Sequence, residues 1–411
     1  MSSSGSSEVG ALPPYYGPDS STALEVSSSN SLKKPPPGQF RPTARPRGDQ
    51  DLQNVELRFL RVVGRNKIPI ATPEDLQLDR FDNGRQAKHG TTMEIYPATW
   101  RGRRVAVKYI RRQLSSRQSQ ESAYRRAMVD LNFEVQIMSR PSLKRQPNIT
   151  QLLAVCFRHS ADDDDDPDSI QAQPGLVVEL AHEQFPDLGH FFDRAHNPDR
   201  PTRLPFETAA SFISGIAKGV AVLHVHDLVH ADLKPGNILI FPSFSSPCGL
   251  VAKIADFGFA GMVVYTDAGE RAPLPDGRPR GGTLEWNAPE CLADADPWTS
   301  HLDNGQAQSL YHPQYSAARD VYSFGLLACY IALDGMTPKE MAPDIRASKM
   351  SGELTDIAVR HLRAHYQSAP GVKPGTSIGE AAQKIAHMTL CLQPDQRTKS
   401  LGMIEDILYA R

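Results

Sequence analysis

The chain has 411 residues and a formal net charge of −2, from 45 Lys and Arg against 47 Asp and Glu. That length can bury a large core, in one bilobal unit of two subdomains. The charge balance supplies no basic surface for bulk nucleic-acid binding, and no nucleic-acid partner is expected.

Five cysteines, Cys156, Cys248, Cys291, Cys329 and Cys391, are scattered without CxxC spacing. A disulfide framework or zinc site is therefore not expected, and a reducing, cytoplasmic compartment fits. The N-terminus has no apolar core and does not read as a secretory signal. The longest greasy stretch, 321–333, contains Ser323 and Gly325 and is too short to span a bilayer. It is expected to be a buried helix, with no membrane partner.

Residues 1–52 are rich in Ser, Pro and Gly and cannot bury enough apolar surface to offset chain entropy, so a disordered tail is predicted. Pro35, Pro36 and Pro37 within it have the composition that docks on an SH3-type or WW-type groove, although a solvated tail is the plainer reading of that composition. From about residue 54, Val55, Leu57 and Phe59 alternate with polar residues, as do later positions through Trp100, which predicts extended chain. Val105, Ala106, Val107, Lys108, Tyr109 and Ile110 form a short β-type run with one lysine inside it. A lysine there is costly unless paired.

The next segment offers a partner. Met128, Leu131, Val135 and Met138 recur at helical spacing and share one face. Glu134 lies on that face and is the expected counter-charge for Lys108. Strands are predicted at 152–155 and 176–180. Between them, five successive aspartates at 162–166 read as a solvated loop. Phe212, Ile213, Ile216, Val220 and Leu223 then mark an amphipathic helix.

Residues 228–258 carry the chemistry. Asp232 and Asn237 stand between two apolar runs, and Asp256 ends a third, ahead of Phe257 and Gly258. One base and two oxygen ligands at strand ends suit phosphoryl transfer with magnesium. Residues 259–287, punctuated by Gly and Pro, read as a long loop. Helices are predicted at 319–333, 352–365 and 378–391.

These residues, from about 75 to 411, resemble the eukaryotic protein kinase family. Lys108 in its Val-Ala-Val-Lys run looks like the nucleotide lysine, and Glu134 like its helix partner. His230, Ala231, Asp232, Leu233, Lys234, Pro235, Gly236 and Asn237 look like the catalytic loop. Asp256, Phe257 and Gly258 look like the metal-binding triplet. Ala288, Pro289 and Glu290 look like the end of the activation segment. Asp320 looks like a buried helix aspartate, and Arg397 like the partner of Glu290.

The resemblance implies an α+β bilobal fold, with a β-rich N-lobe within 53–180 and a larger helical C-lobe at 181–411. It implies ATP and Mg2+ as cofactors and a protein substrate with a Ser or Thr hydroxyl. Asp232 would accept or orient the hydroxyl proton, and Lys234 would steady the γ-phosphate. Asn237 and Asp256 would hold magnesium. Lys108, oriented by Glu134, would grip the α- and β-phosphates. Ile95, Ala106 and Leu239 would sandwich adenine, with Val178 as gatekeeper and Glu179 to Ala181 as hinge. Leu152, Met138, Phe257 and His230 would stack as a spine.

Lys234, Pro235 and a Thr283 bonded to Asp232 and Lys234 resemble serine/threonine kinases. Trp100 and the run from Asp320 to Gly325 look most like the tyrosine-kinase-like group. Two departures stand out. Ala231 replaces an arginine that clamps a loop phosphate in many kinases, so activity independent of loop phosphorylation at Tyr265 or Thr266 is expected. The usual phosphate-loop glycines fall at Lys88, Gly90 and Met93, and only Gly90 remains, so weaker ATP binding is expected. The alternative is a pseudokinase, a nucleotide-binding or scaffold module without transfer.

Overall fold

Val55, Phe59 and Val63, all buried at four-residue spacing, place the first element as a helix, α1 (Leu52–Arg65). The computed structural model describes residues 52–72, 74–79, 88–89, 93–110, 117–158, 173–262, 264–265, 271–272, 282–292, 316–367 and 378–409. All of them fall in the unit Gly38–Arg411. The expected tail, its proline piece, the aspartate run, Gly90 and Thr266 lie outside the described residues. The extended chain predicted near residue 54 is thus corrected to a helix. Phe59 is buried while Leu57 is 49% exposed, so the short alternation comes from a helical stripe.

After α1 come β1 (Ile70–Ala71), β2 (Leu76–Leu78), β3 (Lys88–His89), β4 (Met93–Trp100) and β5 (Arg103–Ile110). Helix α2 (Arg117–Met138) follows, then β6 (Leu152–Arg158) and β7 (Gln173–Glu179). These strands form one seven-stranded sheet in the order β1-β6-β7-β5-β4-β2, with β3 also on β4. The pairing is antiparallel except at the β1 edge, where Ile70 lies beside Val155 in parallel. Opposite Ala106 stands Val178, and Lys108 lies between Ile95 and Leu176. Helix α2 buries Met128, Leu131, Val135 and Met138 together, as its spacing predicts, and α1 packs against α2.

Beyond β7 the chain is mainly helical, so the fold is the expected α+β arrangement of a β-rich lobe and a larger helical lobe. The order is α3 (Leu188–Phe192), α4 (Phe206–Val225), β8 (Leu228–Val229), β9 (Ile238–Pro242) and β10 (Leu250–Ile254). Within the segment expected as loop lie β11 (Gly261–Met262), β12 (Val264–Tyr265) and β13 (Arg271–Ala272). Two-residue strands are too short to leave a period in the sequence. Then come α5 (Ala317–Ala332), α6 (Pro338–Met341), α7 (Ile345–Ser351), α8 (Leu354–Gln367), α9 (Ile378–Thr389) and α10 (Ile404–Tyr409).

Helix α5 is the axis of this lobe. Ser316 caps its N-terminus by accepting the Ala318 N–H, and every residue from 319 to 332 is buried. At Gly325 a Cβ would meet Thr389 Oγ1 at 2.1 Å, so only glycine admits the approach of α9. Helix α4 is long and apolar enough, by composition, to cross a bilayer. Here Phe212, Ile213, Ile216 and Val220 are buried in the core. The hairpin of β9 and β10 and the pair of β8 with β11 carry the polar segments between them.

Phe59 meets Phe157 edge-on, with ring centroids 6.2 Å apart. Replacing Phe59 with Ala is expected to cost about 3 kcal/mol or more of unfolding free energy. Leu57→Ala is expected to change it by less than about 0.5 kcal/mol. Denaturant titration of both variants checks the helix; equal losses would restore the strand reading.

Candidate active site

Lys108 sits in β5 with both neighbours buried, and its Nζ donates to Glu134 Oε1 at 2.7 Å. Glu134 comes from the inward face of α2, so the predicted pair forms across the sheet. Burial pushes the Lys108 pKa down, but Glu134 and Asp256 outweigh it and hold the ammonium above its ordinary value.

The loop after β8 is held from below. Asp320, fully buried near the start of α5, accepts the His230 N–H at 2.7 Å and the Ala231 N–H at 2.9 Å. It also bonds His224 Nε2 at 3.0 Å. His230 accepts the Asp232 N–H on Nδ1 at 3.3 Å, so its Nε2 carries the proton given to the Ala255 carbonyl at 3.0 Å. Its ring lies 5.4 Å from that of Phe257. Leu152, Met138 and Phe257 all pack in or against the same apolar cluster.

Asp232 is the hub. Its Oδ1 accepts the Thr283 N–H at 2.9 Å and the Thr283 hydroxyl at 2.8 Å. Its Oδ2 meets Lys234 Nζ at 2.8 Å and Asn237 Nδ2 at 3.0 Å. Lys234 Nζ also donates to Thr283 Oγ1 at 2.9 Å. The network is closed, with each carboxylate oxygen holding two partners.

Two oxygen groups border this hub. Asn237 Nδ2 also donates to the Asp232 carbonyl at 2.7 Å. Two acceptors on one side fix that side as the amide nitrogen and turn Oδ1 away from Asp232. Asp256 is exposed, and its Oδ1 accepts the Gly258 N–H at 3.3 Å. Close packing pushes its pKa up, but Lys108 and the Gly258 N–H outweigh it and hold the carboxyl below the ordinary aspartate value. An ionised carboxylate and a free amide oxygen are hard donors of the kind that magnesium takes alongside phosphate oxygens. The residues therefore fit the metal and nucleotide.

The expected adenine wall is assembled in part. Ala106 and Val178 are buried in the core cluster, and Ile95 packs against it. Leu239 is half-buried on β9. At the expected hinge, the Glu179 N–H is taken by the Gln151 carbonyl at 3.3 Å, and its carboxylate pairs with Lys253 of β10. Ala181 follows, half-buried.

The Protein kinase domain family model matches residues 85–408. The chain belongs to the protein kinase family. It is similar, at 27% identity over 243 residues, to a probable serine/threonine-protein kinase of Dictyostelium discoideum, a match covering 59% of this chain and 11% of that one. It is also similar, at 30% identity over 211 residues, to the serine/threonine-protein kinase PknA of Mycobacterium tuberculosis, covering 51% of this chain and 38% of that one. The chain spans well under half the length of these relatives.

Other residues of the chain hold the segments in register. Arg397 makes a bidentate pair with Glu290 at 2.7 and 2.8 Å. Its remaining N–H groups go to the carbonyls of Ala318, Leu392 and Cys391. Arg319 is one residue that sequence reasoning missed. Buried on α5, it donates from Nη2 to the Ala231 carbonyl at 2.7 Å and to Asn287 Oδ1 at 3.3 Å. A cation next to Asp320 in an otherwise apolar helix was the available signal. Gly282, at φ +109°, completes the contact, since a Cβ there would lie 2.4 Å from Asn287 Oδ1.

Burial pushes the Asp320 carboxyl up, but His224, His230 and the Ala231 N–H outweigh it, so its pKa lies below the ordinary 3.8. A depressed folded pKa gives stability that is full above the unfolded value and lost as pH falls through the folded one. Asp320→Asn is expected to lower the melting temperature at neutral pH and to flatten its decline below about pH 4. An unchanged acid slope in thermal melts would remove Asp320 from that role.

Proposed function

We propose that the chain is an active serine/threonine protein kinase that transfers the γ-phosphate of MgATP to a protein hydroxyl. The observation that carries this is the closed network on Asp232, together with a half-buried Lys108 held charged by Glu134 and Asp256. Lys108 binds the α- and β-phosphates, and Glu134 keeps its ammonium aimed. Asn237 Oδ1 and the Asp256 carboxylate hold the metal. Bound MgATP supplies the transferred group and a divalent charge that offsets the phosphate oxygens.

Asp232 orients the incoming hydroxyl and takes its proton. All its positions are occupied in this structure, so a substrate must exchange with one partner. On Oδ2, Lys234 is the freer partner, at 31% side-chain exposure against a buried Asn237. Its shift towards the γ-phosphate opens Oδ2 to the hydroxyl and steadies the developing charge. Thr283 keeps Oδ1 in place meanwhile.

Lys234, Pro235 and Thr283, with the names of the relatives, support Ser or Thr as acceptor. Trp100 and the run from Asp320 to Gly325 support the tyrosine-kinase-like group. In the same reading the chain works in a reducing cytoplasmic compartment, and the Pro35 to Pro37 piece belongs to a solvated tail whose composition also suits an SH3-type or WW-type groove. The replacement of loop glycines by Lys88 and Met93 favours a second reading, a pseudokinase that binds nucleotide without transfer.

Purified protein with labelled ATP, magnesium and a generic basic protein separates the two. Incorporation that disappears in Asp232→Asn supports the enzyme. Equal background in both, with nucleotide still raising the melting temperature, supports the binder. Asp256→Ala should abolish the magnesium-dependent part of that rise, and an unaltered rise would remove Asp256 from the metal.

Arg319 gives the Ala231 carbonyl an internal cation, which supports activity independent of loop phosphorylation. Tyr265→Phe with Thr266→Ala is expected to leave turnover unchanged. A large fall in rate would show that a loop phosphate is needed.

A further inference from the structure

Three carbonyls of one short segment converge on one buried lysine. Asp344 caps α7 by accepting the Ala347 N–H, and Lys349 lies in the last turn at 1% exposure. Its Nζ donates to the carbonyls of Leu284 at 3.2 Å, Glu285 at 2.7 Å and Asn287 at 2.7 Å. The Tyr322 ring of α5 lies 5.8 Å away. An ammonium has three N–H donors and no acceptor. Three carbonyls match it completely, whereas a neutral amine would face one of them with a lone pair.

Burial pushes the Lys349 pKa down to about 7, against the pull of Glu285 and Cys291. The carbonyl dipoles favour the charged form as well.

The segment it holds leads out of the catalytic network. Thr283, one residue before the first of these carbonyls, bonds Asp232 by both N–H and hydroxyl. The Trp286 carbonyl accepts the Ser323 hydroxyl at 2.8 Å, and Glu285 Oε1 accepts the Lys339 N–H at the start of α6. No regular element runs through 284–287; its turn is closed locally by the Trp286 and Asn287 N–H groups on the Thr283 carbonyl, and its place in the lobe depends on these long-range bonds. Lys349 supplies three of them from a single atom.

We propose that Lys349 is a positioning residue for the protein substrate. It fixes the backbone of 284–287 as the surface along which a polypeptide lies while its hydroxyl reaches Asp232. The inference rests on the kinase reading above. Lys108, Asn237 and Asp256 stand on other elements, so the nucleotide side does not depend on Lys349.

The test is steady-state kinetics on the full chain with myelin basic protein and ATP varied separately. In Lys349→Met, KM for the protein should rise at least about tenfold, the loss of hydrogen bonds to a charged group. KM for ATP should not change. Lys349→Arg keeps charge and donors and should recover part of the effect.

An unchanged protein KM in the Met variant, or equal changes in both KM values, would overturn the assignment. Where the Met variant does not fold, Lys349→Gln takes its place, with the nucleotide-induced melting shift as the check on folding. Amide exchange at Trp286 and Asn287 gives a readout that needs no catalysis. It should quicken in the variants, and unchanged exchange would overturn the proposal. If the wild type shows no Asp232-dependent transfer, the kinase reading fails, and exchange alone decides whether Lys349 holds the segment.

Discussion

Asp320, a carboxylate without solvent exposure, underlies the loop that follows β8. Its oxygens take the N–H groups of His230 and Ala231 and the ring of His224. Those bonds let Ala231 stay at φ +69°, a left-handed conformation that costs an L-residue about 1–2 kcal/mol. Asp256 stands at φ +64°, so two of the residues that aim the polar side chains here are held in the left-handed region. His230 joins the two segments, because its ring bonds the Asp232 N–H on one side and the Ala255 carbonyl on the other.

Buried cations make up much of the remaining framework. Half-buried Lys108 and buried Arg319, Lys349 and Arg397 each meet carboxylate or carbonyl oxygens at close range. Such groups add little net stability against an apolar core, but removing one partner leaves an uncompensated charge. They therefore fix geometry more than they raise stability. Arg319 and Lys349 both act on the segment around Asn287, one through its side-chain oxygen and one through its carbonyl. The segment around Asn287 is thus tied to α5 and α7 by the chain's own charges.

Much of this was legible in the sequence. The apolar stripe of α2 placed Glu134 inward, and a lysine inside a β-type run required a counter-charge, so that pair followed from spacing and desolvation together with the motifs further along the chain. The buried segment at 321–333 likewise read as a helix. The first helix did not, because Val55, Leu57 and Phe59 fit both a period of two and one turn of a helical stripe; Val63 decides between them. Arg319 carried one signal, its charge beside Asp320 in an apolar helix, and Lys349 carried none. Its acceptors are carbonyls far along the chain, 62 residues away for Asn287. Every residue offers a carbonyl, so no composition or period announces which ones converge.

Lys108, Asn237 and Asp256 are proposed to meet on one triphosphate beside Asp232. A crystal structure of the chain with magnesium and a non-hydrolysable ATP analogue would show whether they do. Lys108 Nζ should lie within hydrogen-bond distance of the α- or β-phosphate, still paired with Glu134, with the metal on Asn237 Oδ1 and the Asp256 carboxylate. A triphosphate bound away from these three residues, or a metal that touches neither Asn237 nor Asp256, would contradict it.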